Sequence, residues 1–171
     1  MVEKNEMVTT DGEILEKIIE DTENYTIVRT QDGKFKKNMK YHKYFSKIPE
    51  TEEETIELFK VFNSDSNDGL VTSMKNAVGE KIGIEQVYMQ PYESFDEDTG
   101  NVTNGVTTTI LSTKGEYFAT SSKSVYYSLK NIFDTFKYPN TSGYSPILVE
   151  VTSTKQQKGY QINLKLLGYE K

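Results

Sequence analysis

Residues 105–136, GVTTTILSTKGEYFATSSKSVYYSLKNIFDTF, restrict the folds open to this chain more than any other stretch. Val106, Thr108 and Ile110 alternate with Thr107, Thr109 and Leu111, a strand pattern. Thr113-Lys114-Gly115-Glu116 closes a hairpin onto a second short strand at Tyr117, Phe118 and Ala119. Ser121 or Ser122 can then cap a helix. Val125, Leu129, Ile132, Phe133 and Phe136 form one stripe at helical period in it, and Pro139 and Gly143 end it. A β-rich run at residues 82–92 precedes the stretch, and alternating runs at residues 147–151 and 160–166 follow it. The apolar parity of the first run shifts between Ile84 and Val87, as a bulge in a long bending strand would make it do. The order β-β-β-α-β-β is that of a five-stranded Greek-key barrel of the oligonucleotide/oligosaccharide-binding (OB) type. The expected fold is therefore mainly β with helices (α+β). An OB-like barrel would occupy residues 80–168, with its helix between strands 3 and 4, behind an N-terminal hairpin and helical extension.

The upstream sequence divides by charge. Residues 1–24 hold 2 basic and 8 acidic side chains, residues 25–48 hold 7 and 1, residues 49–80 hold 2 and 8, and residues 81–171 hold 9 and 9. The first segment reads as an acidic, partly ordered tail, with a helical hint in the spacing of Ile14, Leu15, Ile18 and Ile19. Residues 25–79 read as a basic-aromatic hairpin and two short helices. Tyr25 to Gln31 favours strand, Asp32-Gly33 a hairpin turn, and residues 34–47 a return arm. Thr51 followed by Glu54 is a capping box opening the first helix, with Ile56, Phe59 and Phe62 as its apolar stripe. Residues 63–69 form a polar loop, and a second helix covers about residues 70–78.

Composition removes several classes of chemistry. There is no cysteine and a single histidine, His42, so disulfides, thiolate metal sites and His-rich metal or triad sites are not expected. Asn63, Asp65 and Asn67 match alternating calcium ligands, but Asp68 stands where that loop needs Gly and Met74 where it needs a bidentate Glu. No glycine-rich phosphate loop is present. No apolar run nears the roughly 20 residues that span a bilayer, and no signal-peptide pattern opens the chain. The expectation is a non-enzymatic, cofactor-free, cytoplasmic protein without a membrane partner.

Net charge is −6, but the cations are locally concentrated, and local patches decide which surface attracts a polyanion. Binders of single-stranded nucleic acid combine a cationic groove with aromatic faces on which bases stack. On an OB-like barrel the binding face is strands 2 and 3 with the loops joining strands 1–2 and 4–5. That face would offer Tyr117 or Phe118 and Lys114, with Lys155 and Lys158 from the last hairpin, and Tyr88 and Tyr92 extending the platform. Phe118 is the better candidate for the core of the 117–118 pair, and Tyr160 shares the parity of Ile162 and Leu164 and is expected inside. The arm adds Lys34, Lys36, Lys37, Lys40, Tyr41, Lys43 and Tyr44, a cationic-aromatic element able to close over a strand.

The block GVTTTILSTKGEYFATSSKSVYYSLKNIF, the later SPILVEVTSTKQQKGYQINLKLL and the preceding IELFKVFNSDSNDGLVTSMKNAVGEKIGIEQVYMQPYESFDEDTGN resemble single-stranded DNA-binding proteins encoded by phages and mobile elements of Gram-positive bacteria. The resemblance covers roughly residues 50–167. It implies sequence-tolerant coating of single-stranded DNA in replication or recombination, without a cofactor. The acidic segments would recruit replication or recombination proteins, and self-association is allowed. A different reading, a protein-binding inhibitor whose acidic faces mimic DNA before a host defence or replication enzyme, accounts for the same net charge.

Overall fold

The computed structural model describes residues 6–8, 14–64, 68–98, 100, 102–135 and 145–170. The chain separates into two compact units, residues 1–42 with 93–104 and residues 43–92 with 105–171. The described residues are mainly β with two α-helices.

The first unit contains an antiparallel sheet of four strands in the order β1 (Glu6–Val8), β2 (Ile14–Asp21), β3 (Tyr25–Thr30) and β4 (Phe35–Met39). The helical hint at residues 14–19 is corrected: these residues are β2, paired with β1 and β3. Apolar spacings of 1, 3 and 4 suit a strand with apolar residues on both faces as well as a helix, and the cross-strand ladders decide. Asp32-Gly33 does make the β3–β4 turn. Gly33 sits at φ 82, and the Gly33 amide donates to the Thr30 carbonyl at 2.9 Å.

The second unit begins with β5 (Tyr44–Phe45) and α1 (Glu52–Phe62). It continues with β6 (Val71–Ser73), a 3-10 turn at Met74–Asn76, β7 (Lys81–Phe95), β8 (Val102–Ser112) and β9 (Tyr117–Thr120). It ends with α2 (Lys123–Thr135), β10 (Ile147–Lys155) and β11 (Tyr160–Tyr169). The ends of β7 beyond Tyr92 and of β8 before Gly105 belong to the first unit. The strand path is β11-β10-β7-β8-β9-β6, with β5 also paired to β7. The β6–β9 ladder is parallel.

Three expectations change here. The second helix of residues 70–78 is replaced by β6 and the 3-10 turn, because Val71–Ser73 finds a ladder on Tyr117, Phe118 and Ala119. The acidic loop of residues 94–105 is shorter than expected, since β7 runs to Phe95 and β8 starts at Val102. The α1 stripe is rotated: Leu58 and Val61 are buried, whereas Ile56 and Phe59 are exposed. Its capping box holds, with the Glu54 amide donating to Thr51 Oγ1 at 3.1 Å and the Glu54 carboxylate accepting from the Glu50 amide at 2.9 Å.

The core of this unit is Ile82, Ile84, Val87, Val106, Ile110, Val149 and Val151 from the strands, against Val125 and Leu129 of α2. Ile132 and Phe133 complete the predicted stripe, while Phe136, Pro139 and Gly143 lie outside the described residues. From Ile82 to Met89 every residue except Glu85 is buried, so both faces of β7 are covered and strict parity is not required there. A Cβ on Gly83 would meet the Glu170 carboxylate, which accepts a hydrogen bond from the Thr113 hydroxyl and so ties the end of the last strand to the β8–β9 turn.

Candidate nucleic-acid interface

The aromatic platform expected on the barrel is largely internal. Tyr88 is 6% exposed, and its ring meets Phe45 at 5.3 Å and Phe62 at 5.8 Å, both nearly edge-on. Phe45 also lies 5.7 Å from Phe62. β5 and the last turn of α1 thus cover this face of β7, and Tyr88 has no free ring face for a base. Tyr44 is half-buried 5.6 Å from Phe133 and packs toward α2, so it too is a packing residue. These are corrections: the sequence shows an aromatic run but not the neighbour laid over it.

Burial pushes the Tyr88 phenol up to about 12, with Tyr117 and then Glu54 adding to it. The folded protein therefore keeps a proton that the unfolded chain releases near pH 10. This contribution is full below pH 10 and is lost as pH rises toward about 12. Tyr88→Phe is expected to leave neutral-pH stability nearly unchanged and to reduce the alkaline loss by about 1–3 kcal/mol, read from urea melts between pH 9 and 12.

Phe118 is buried opposite Ile110, as the alternation implied. Tyr117 pairs with Leu111 and Val71 and is half-buried, its phenol pushed up by burial and then by the Glu57 carboxylate of α1. It therefore lies on a face shared with an acidic helix. Tyr92 keeps part of its ring exposed while the rest lies over Gly105, where a Cβ would strike the ring. Lys114 is exposed in the β8–β9 turn, and Lys155 and Lys158 are exposed in the β10–β11 hairpin. Tyr160 is the clearest reversal: expected inside, it is 70% exposed. It pairs with Lys155 where the hairpin closes, beyond the covered length of β11.

The basic arm is divided between the units. Residues 34–42 belong to the first, and residues 43–47 belong to the second, where Tyr44–Phe45 pairs with β7. In the first unit Lys34 pairs with Asp32 at 3.3 Å, and Tyr41 is half-buried. Lys40 holds Asp21 at 2.5 Å and the Thr22 carbonyl at 2.8 Å. That bond, then one from Thr26, keeps the Asp21 carboxyl below its usual range. Lys40 is thus a strap across the sheet edge. Lys43 lies 4.8 Å over the Phe45 ring.

Register sorts the remaining arm residues by face. Arg29 opposes Phe35, Ile27 opposes Lys37, and Tyr25 opposes Met39, while Lys17 of β2 opposes Arg29. Opposed residues share a face, and so do residues two apart on one strand. Lys17, Tyr25, Arg29, Phe35 and Lys37 therefore line one face, with Lys37 Nζ 4.0 Å from the centre of the Tyr25 ring. Phe35 is 67% exposed on it. Lys36 opposes Val28 on the other face and is exposed. Lys17 and Arg29 were not among the sequence candidates, and Phe35 lies within the basic-aromatic arm of residues 34–47 without a contact assigned to it from sequence. The signal for them was the Asp-Gly turn, which fixes the register once both arms are strands.

Among the described residues there is no group of three or more His, Cys, Asp or Glu side chains able to hold a metal ion. No helix among them is long and apolar enough to cross a membrane. What they display is cations beside exposed rings. The profile of the family described as Phage Single-stranded DNA-binding protein matches residues 36–166. The chain belongs to that family. The phage family's match takes in β4, the described part of the second unit as far as Leu166, and the arm from Lys36 onward. A relative in Bacillus phage GA-1, named a single-stranded DNA-binding protein, is 36% identical over 157 residues, which cover 90% of each chain. No solved structure matches the chain.

Proposed function

We propose that the protein binds single-stranded DNA without strong sequence preference and coats it during phage or mobile-element replication or recombination, by binding alone and without a cofactor. Membership of the phage family carries this reading. The physical support is the co-location of exposed rings with cations, Phe35 beside Arg29 and Lys37 in one unit and Tyr160 beside Lys155 in the other. Base–aromatic stacking is tolerant of sequence because every base has a π-face.

The second unit is read here as an OB-type Greek-key barrel of five strands, β7 to β11. The chain order with α2 between β9 and β10, and the neighbours β10–β7 and β10–β11, support this reading. The DNA contacts assigned are Lys34, Lys36, Lys37, Tyr92, Lys114, Lys155 and Lys158, to which register adds Lys17, Arg29 and Phe35. Host-cell cytoplasm is the site of action that fits a DNA-coating role. Acidic stretches such as the first turn of α1, Glu52, Glu53 and Glu54, are assigned to recruiting replication or recombination proteins.

Titration of a fluorescent oligo-dT tests the function. Four phosphate contacts on a single strand give a slope of about −2.8 in log K against log salt, a loss of roughly 50-fold between 50 and 200 mM. Absence of binding even at low salt would overturn the proposal and favour a protein-binding role for the acidic faces.

A further inference from the structure

On the reading that the protein binds single-stranded DNA, we propose a specific nucleotide site within the second unit. It is a groove in which the Tyr160 ring stacks on a base while Lys75 and Lys123 hold phosphates of the same strand.

β6 and β11 are the two ends of the strand path, and no ladder joins them among the described residues. The start of α2 is tied to β11 instead. The Ser122 hydroxyl donates to the Ile162 carbonyl at 2.6 Å, and Ser124 bonds the Asn163 side chain. Beside these bonds lies a groove of about 1110 Å³, walled by the 3-10 turn after β6, the β9–α2 junction and the β10–β11 hairpin. Clefts for small ligands run to about 300–1,000 Å³, so this one has room for a length of extended polymer.

Its chemistry selects the polymer. None of the twelve described residues that line it is acidic, in a chain with 26 acidic and 20 basic side chains. Five of the twelve are Ser or Thr hydroxyls, suited to phosphate oxygens and sugar. Lys75 is held outward because its neighbours Met74 and Ala77 are fully buried and fix the turn. Lys75 is in none of the ion pairs among the described residues. Lys123 lines the groove from the β9–α2 junction, at a helix start whose own dipole favours an anion. Tyr160 supplies an exposed ring on the third wall, with Lys158 in the same hairpin. A protein partner would call for a wider apolar surface than one ring and the exposed Val78. Cations, hydroxyls and a single exposed ring fit a phosphate backbone with a stacked base.

The test compares wild type with Tyr160→Leu, Tyr160→Phe and the double variant Lys75→Gln/Lys123→Gln, by oligo-dT titration at several salt concentrations. Tyr160→Leu is expected to weaken binding roughly 5- to 100-fold, because the stacked ring is lost, and Tyr160→Phe to bind as wild type. The double variant should make the salt slope shallower by about 1.4, two phosphates at 0.7 each. All three positions are exposed, so melting by circular dichroism should not move. Wild-type affinity in Tyr160→Leu, equal losses in Tyr160→Leu and Tyr160→Phe, or an unchanged slope in the double variant would each overturn the groove while leaving DNA binding itself intact. If wild type fails to bind oligo-dT, the functional reading fails together with the groove.

Discussion

Tyr88→Ala is expected to lower unfolding stability by about 3–5 kcal/mol, the cost of emptying a large aromatic site in a packed core. Oligo-dT affinity of the folded variant should stay within about twofold of wild type, because no stacked base is lost. Both parts follow from position. The ring is 6% exposed and is wedged against Phe45 and Phe62 at 5.3 and 5.8 Å. Its removal leaves the Phe45 and Phe62 rings, which meet each other at 5.7 Å, without the ring that both pack against edge-on. Urea unfolding reads the first effect, and titration below the unfolding transition reads the second. A large affinity loss with little change in stability would return Tyr88 to the binding surface and would require α1 to move away from it. Tyr88→Leu serves as the milder companion, keeping apolar volume without the ring. It is expected to lose less stability and again to bind normally.

That prediction marks where sequence reading succeeds and where it stops. The α2 stripe Val125, Leu129, Ile132 and Phe133 was legible because a helix carries its own periodicity, and the structure buries all four. The five β-rich runs from residue 82 onward were legible for the same local reason, and each is a strand. Whatever depended on a distant partner was not legible. Val71–Ser73 has three residues and no pattern of its own, and it is a strand only because β9 offers a parallel edge. In α1 the pairs Ile56/Phe59 and Leu58/Val61 have the same spacing of three, and tertiary packing chose the second. Tyr160 has the parity of an inside residue, yet parity assigns a face only where the sheet is covered, and the hairpin end is not. For the candidate site the lesson is similar. Residue types announced cations and rings, but register and burial determined which of them share a surface.

The face of β2, β3 and β4 shows how much register adds, and the largest affinity effect outside the Tyr160 groove is expected there. Phe35→Ala should weaken oligo-dT binding roughly 5- to 100-fold, the contribution of one stacked base. With Phe35 67% exposed, thermal stability should change little. Arg29→Gln/Lys37→Gln should make the salt slope shallower by about 1.4, since both cations lie on the face that carries Phe35. Lys40→Gln is the internal comparison. Its ammonium already holds the Asp21 carboxylate and the Thr22 carbonyl, so its loss should change stability little, as for an exposed ion pair, and leave the slope nearly unchanged. A slope that fell equally for Lys40 and for the Arg29/Lys37 pair would mean that the whole arm acts as a diffuse cloud of charge. Unequal slopes, with Phe35 sensitive and Lys40 silent, are what a single organised face requires. The difference is measurable because Lys40 lies only three residues from Lys37 in the same arm.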